Sequence, residues 1–215
     1  MFNLVLKYRF LLSFGLMSII YTVGIVLLLK SGRTGSLIEL TPFTILLTTF
    51  LLLLNHQHWN RKIVIALFLI AFLGLAIEII GINTGVPFGD YTYSSVLGIQ
   101  LFGTPLLIGV NWLMLVYSSV LIMHRFISTI WLKALLASLL MVLLDVFIEP
   151  VAIDWNMWTW KMTNVPIQNY VTWGIAALIF SLILSFQLNE HHKNKMAIPV
   201  ILWQFLFFVI LGICG

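Results

Sequence analysis

Glu78 stands inside the apolar run Ile63–Ile82, and Asp145 stands inside Ile127–Ile148. A charged side chain near the centre of a bilayer costs about 2.5–3.5 kcal/mol on insertion scales. Something must offset that cost, and an ionisable group inside a membrane span marks a functional site by default. Glu149 follows Asp145 by four residues, so the two share a helix face. Like charges at that spacing repel, and in a low dielectric one of the pair is expected to hold its proton. A protonated carboxyl beside an apolar pocket is a general acid. The bland alternatives are carboxylates that reach the interface and do nothing, with Pro150 ending the helix and leaving Glu149 solvated.

Both acid-bearing runs lead into segments crowded with aromatic, Gly, Pro and Asn residues. The first reads Glu78-Ile-Ile-Gly-Ile-Asn-Thr-Gly-Val-Pro-Phe-Gly-Asp-Tyr-Thr-Tyr93. Gly81, Gly85 and Gly89 with Pro87 predict constrained turns, but the Lys and Ser/Thr of a phosphate loop are missing. Asp90 is either a further acid or a turn former. Trp155, Trp158, Trp160 and Trp173 gather around the second long loop. Tryptophans form interfacial belts in membrane proteins, and their faces also stabilise a nearby cation. Tyr91, Tyr93 and Trp112 complete the aromatic candidates for contact with a substrate. Asn169 is placed either to hold a water or orient an acid, or to cap the sixth helix. His56, His58, His191 and His192 fall in basic loops far from the acids and read as solvated interface residues. No metal site is expected from them.

The elements that must position these groups are membrane helices. The 215 residues are 61% hydrophobic and 8% charged, which no soluble globular domain matches. Seven runs approach the roughly twenty residues needed to cross hydrocarbon: Phe10–Leu29, Leu37–Leu54, Ile63–Ile82, Phe102–Met123, Ile127–Ile148, Tyr170–Leu188 and Met196–Ile213. The short alternating segments of a barrel are absent, so backbone satisfaction in lipid predicts helices. The expectation is an all-α, polytopic fold, one seven-helix domain over 1–215 with the site-bearing part at about 78–173. Phe10–Leu29 is long enough to span and lacks a signal-peptide cleavage site, so it is read as a helix. The lone Cys214 excludes an intrachain disulfide and a cysteine-based metal cluster.

Two connections are long, Asn83–Leu101 and Glu149–Asn169, and with seven spans both fall on one face. The N-terminal side carries Lys7, Arg9, Arg61, Lys62, Arg125, Lys133, Lys193 and Lys195. The opposite side carries Lys30, Arg33 and Lys161. That asymmetry places the N-terminus in the cytoplasm and the long loops and acids toward the outer face. The net charge of +4 is too small and scattered for a nucleic-acid surface. The charge asymmetry and the lack of disulfides suit a bacterial or archaeal inner membrane, with bilayer lipids as partners; oligomeric state is not readable. A short echo, Val86-Pro87-Phe88-Gly89-Asp90-Tyr91 against Val165-Pro166-Ile167-Gln168-Asn169-Tyr170, follows each acid-bearing run and suggests either a parallel repeat or chance.

These segments together resemble a family of integral-membrane carotenoid-biosynthesis proteins, and within it the hydratases that add water to the open end of acyclic or monocyclic carotenoids. The resemblance rests on Glu78–Tyr93, on Gly103-Thr104-Pro105-Leu106 with Trp112, and on Asp145 with Glu149-Pro150. Trp158-Thr159-Trp160 and Val165-Pro166 with Asn169 and Trp173 complete it. Asn164 stands where the pattern has Gly before Val-Pro. The resemblance implies a lipid-soluble carotenoid substrate, no cofactor, and hydration begun by protonation. A proton adds at C-2 of the terminal isoprene unit, a tertiary cation forms at C-1, and water captures it. Glu78 and Asp145 are the expected acid and water-activating base, in an order the residues leave open. Glu149 would tune Asp145, Asn169 would place the water, and Trp158, Trp160 and Trp173 would face the cation.

A lycopene-type cyclase begins with the same protonation, but a neighbouring alkene captures the cation. A small proton-linked transporter would also carry intramembrane acids, although here they gather toward one face instead of forming a relay. A retinal protein would need a lysine inside the last span, and Met196–Ile213 has none. A purely structural membrane subunit is the remaining alternative.

Overall fold

The computed structural model describes residues 2–32 and 36–215, so Arg33 of the charge count lies outside the described residues. Among the described residues, seven helices are long and apolar enough to cross a membrane. They are α1 (Phe2–Ser31), α2 (Thr41–Leu54, led in by a 3-10 turn at Ser36–Leu40), α3 (Arg61–Thr84), α4 (Leu107–His124), α5 (Ile130–Asp154), α6 (Ile167–Ser185) and α7 (Ala197–Cys214). The helical expectation holds, with two boundary corrections that bear on the site.

The fourth helix starts at Leu107 instead of Phe102. Phe102 and Gly103 both take positive φ (50° and 81°) and form a tight turn between two short strands, β2 (Gln100–Leu101) and β3 (Thr104–Pro105). Apolar content alone hid this turn. The fifth helix runs through Pro150 to Asp154, so Pro150 does not end it. Pro150 removes one backbone donor, which neighbouring elements tolerate in a membrane helix. The last turn therefore stays helical and keeps Glu149 on the Asp145 face.

α4 is the central helix. Trp112, Met114, Leu115, Val116, Tyr117 and Val120 have no exposed surface, and the helix packs against α2, α3, α5, α6 and α7. Close approach to α3 depends on small residues. A Cβ on Gly74 would lie 2.6 Å from Trp112 Cβ, and one on Gly109 would lie 2.6 Å from the Ala71 carbonyl oxygen. Small residues let helix backbones meet where lipid gives no hydrophobic drive for association.

Each end of α3 is capped. Asn60 accepts from the Ile63 amide at the start, and Gly85 closes the end at φ 70°, donating its amide to the Gly81 carbonyl. That left-handed cap turns the chain sharply back over the bundle. The two long loops then meet. β1 (Tyr91–Tyr93) pairs antiparallel with β4 (Trp158–Trp160), with Tyr91 opposite Trp160, Thr92 opposite Thr159 and Tyr93 opposite Trp158. Their meeting agrees with the expectation that both lie on one face. The Val-Pro echo is not a structural repeat: β1 follows Val86-Pro87, whereas β4 precedes Val165-Pro166. The two echoing segments instead touch, since Gln168 Nε2 and Thr172 Oγ1 both donate to the Pro87 carbonyl, at 2.6 and 2.8 Å.

Candidate active site

Strand alternation aims the aromatic side chains. Thr92 and Thr159 face outward, while Tyr91, Tyr93, Trp158 and Trp160 point down at the helix ends. There the C-terminal parts of α3 and α5 meet the first turns of α4 and α6. Glu78 (2% exposed), Asp145 (1%), Glu149 (3%) and Asn169 (2%) converge there. They line one cavity of about 40 Å³, with Tyr91, Tyr93, Trp158, Trp160, Trp173, Ile108, Asn111 and Ile148. Such a volume admits water, which needs roughly 10–15 Å³ by this measure.

Glu78 receives three donors. Tyr91 and Tyr93 hydroxyls both donate to its Oε2, the latter at 3.1 Å, and Trp112 Nε1 donates to Oε1 at 3.2 Å. Burial first, and then the Glu78 carboxyl, push both phenols well above their ordinary range, so both keep the protons they donate. Glu149 also receives three donors. Trp158 and Trp160 indole nitrogens lie 3.0 and 2.9 Å from its Oε2, and Asn169 Nδ2 lies 3.1 Å from Oε1. Asp145 receives one, from the same Asn169 nitrogen at 3.1 Å to Oδ2. The Asn169 amide thus spends its two hydrogens on two carboxyl groups four residues apart.

Asn169 is not the cap of the sixth helix. That helix begins at Ile167, with Pro166 in the capping position, and Asn169 lies in the first turn. The positive end of α6 thereby faces Asp145 and Glu149. Trp173, one turn further on, stacks on Trp112 with ring centres 4.2 Å apart and planes at 22°. The tryptophans named here are therefore not a membrane belt. Trp158 and Trp160 hold Glu149, Trp112 holds Glu78, and Trp155 is buried.

Of the residues singled out in the sequence, Glu78, Asp145, Glu149, Tyr91, Tyr93, Trp158, Trp160, Asn169 and Trp173 line the cavity, and Trp112 supports it from behind Glu78. Asp90 does not reach it. Its carboxylate is exposed and pairs with Lys161 Nζ at 3.3 Å, and a Cβ on Gly85 would meet its Oδ1, which fits the turn-former reading. Asn111 lines the cavity and was missed. Its signal was available as an uncharged polar residue inside an apolar run, directly before Trp112.

The histidines need a correction. His56 and His192 are buried (3% and 2%), not solvated, at the opposite end of the bundle from the acids. The His56 Nδ1 lies 2.6 Å from the Tyr117 hydroxyl, and its ring lies 5.7 Å from that of His192. Asn194 Nδ2 reaches the same hydroxyl at 2.9 Å. These side chains tie the α2–α3 and α6–α7 loops to α4.

This arrangement defines a seven-helix membrane protein with three carboxyl groups and an aromatic lid in one pocket. The chain belongs to the carotenoid biosynthesis protein family, whose model matches residues 39–214. It is also 27% identical over 208 residues to a bisanhydrobacterioruberin hydratase from Haloarcula japonica, covering 88% of this chain and 70% of that protein. No solved structure matches the chain.

Proposed function

We propose that this protein is a carotenoid hydratase that adds water across the terminal C-1,2 double bond of an acyclic carotenoid end group, without a cofactor. The observation that carries the reading is the unequal hydrogen bonding of three carboxyl groups around one water-sized cavity. Glu78 and Glu149 each accept three hydrogen bonds, as ionised carboxylates do. Asp145 accepts one and keeps an oxygen free for a proton. Asp145 is therefore the acid and Glu78 the base, with Glu149 and Asn169 orienting Asp145.

In the first step the Asp145 O–H bond breaks and the alkene electron pair takes the proton at C-2, leaving a tertiary cation at C-1. The faces of Trp158, Trp160 and Trp173 and the nearby carboxylates stabilise that charge. Water oxygen then bonds to C-1, and its proton passes to Glu78. The proton held on Glu78 then passes through pocket water to Asp145, restoring both carboxyl groups for the next cycle. The polyene lies along apolar helix faces and arrives through the lipid. A cavity of about 40 Å³ is small beside the roughly 300 Å³ of ordinary ligand sites, so its lining must part to admit the end group.

The remaining assignments belong to the same reading: one seven-helix domain, the N-terminus in the cytoplasm, the pocket toward the outer face, and residence in a bacterial or archaeal inner membrane. The 27% identity to a hydratase over most of the chain supports the chemistry. The test is expression in cells that accumulate lycopene or γ-carotene. Hydration gives products heavier by one water, whereas cyclisation leaves the mass unchanged. Glu78→Gln and Asp145→Asn abolish the heavier product while leaving membrane expression intact. Persistence of that product in both variants would remove the site assignment.

A further inference from the structure

We propose that Asn111 positions the water that captures the cation, an inference that rests on the hydratase reading above. Asn111 lies on α4, three residues after Ile108, so both present the same helix face, and both line the cavity with Glu78 and Asp145. The neighbouring Trp112 is committed to Glu78. Glu149 is committed to Trp158, Trp160 and Asn169, and both Asn169 amide hydrogens are spent on carboxyl groups. Among the described residues, the Asn111 carboxamide has no hydrogen-bond partner. A half-buried amide inside a membrane span is costly unless something hydrogen-bonds to it. The cavity that Asn111 lines offers room for such a partner, and its volume suits water.

The chemistry fits a carboxamide better than another acid. Its oxygen accepts one hydrogen of the water, which leaves an oxygen lone pair free for C-1. The second hydrogen is directed to Glu78, which takes it as the C–O bond forms. A third ionised group at this position would instead trap the cation as an ester or hold it without reaction. Asn111 thereby decides between capture by water and loss of the C-2 proton, which returns the hydrocarbon.

The test uses membranes carrying wild-type protein, Asn111→Leu or Asn111→Ser, supplied with an acyclic carotenoid in deuterium oxide. Two quantities are read: hydrated product, and recovered hydrocarbon carrying deuterium. Wild-type protein yields mainly hydrated product. Asn111→Leu still places deuterium in the hydrocarbon, but the ratio of hydrated product to deuterated hydrocarbon falls by about tenfold, as for loss of one hydrogen bond to the attacking water. Asn111→Ser, which keeps an oxygen, recovers part of the ratio. An unchanged ratio in Asn111→Leu overturns the proposal. So does parallel loss of deuterium entry and hydration in both variants, because a merely structural or protonating role has that signature. If wild-type protein itself produces neither signal, the hydratase reading fails instead.

Discussion

Asn169 Nδ2 donates to Asp145 Oδ2 across 3.1 Å, joining the first turn of α6 to the C-terminal half of α5. The same nitrogen reaches Glu149, so one neutral amide sets the spacing of two acids. Without it, the proton-bearing Asp145 and the ionised Glu149 lose their shared donor, and the Asp145 carboxyl is free to turn away from the cavity. Asn169→Leu is expected to lower hydration by about 10²-fold or more, the range ascribed to a positioned acid. The variant should still reach the membrane in normal amount. Wild-type product yield from Asn169→Leu would show that the amide orients nothing.

Gly74 controls how near Trp112 comes to Glu78. A methyl group there would sit 2.6 Å from Trp112 Cβ and ring atoms, so either the helices separate or the indole leaves Glu78. Overpacking of this kind costs about 1–3 kcal/mol. Gly74→Ala should lower both the melting midpoint in detergent and the hydrated product. Retention of both would mean that α3 and α4 have slack at this crossing.

Much of this arrangement was legible in the sequence, for a physical reason. Seven apolar runs near twenty residues long dictate helices, and a carboxylate inside such a run is conspicuous because it is costly. Glu78, Asp145 and Glu149 were therefore visible without a structure. What stayed hidden depends on contacts between distant segments. Tyr-Thr-Tyr and Trp-Thr-Trp alternate as strands do, but three residues are too few to reveal a pairing between segments so distant in the chain, Tyr91 with Trp160 and Thr92 with Thr159. Once paired, the strands convert tryptophans that resembled an interfacial belt into donors for Glu149. Asp90 looked equivalent to the other acids by type, yet the Gly85 turn carries it outside to Lys161. His56 and His192 looked solvated because their loops are basic, but loop-to-loop packing buries both.

The buried histidines give the protein a pH-dependent stability. Burial first, and then the neighbouring His192 and His58, push the His56 imidazole down from 6.5 to about 4. An unfolded histidine takes up its proton near 6.5, whereas folded His56 resists until about 4. Its contribution to stability is therefore intact above the higher value and is lost as pH falls from there toward the lower one. Burial pushes His192 in the same direction. Thermal melts in detergent should show a falling midpoint from pH 7 to pH 5, with a shallower fall in His56→Gln. A midpoint that rises on acidification, or an unchanged slope in His56→Gln, would contradict this assignment.

The proton itself offers the most direct test of an acid buried in an oily pocket. Membranes are given an acyclic carotenoid in deuterium oxide, and deuterium at C-2 is measured in product and recovered substrate. Donation by Asp145 with Glu78 as base predicts deuterium at C-2 in wild-type protein and none with Asp145→Asn. With Glu78→Gln, deuterium still enters but hydrated product is lost. Deuterium entering at the wild-type rate with Asp145→Asn would contradict the mechanism.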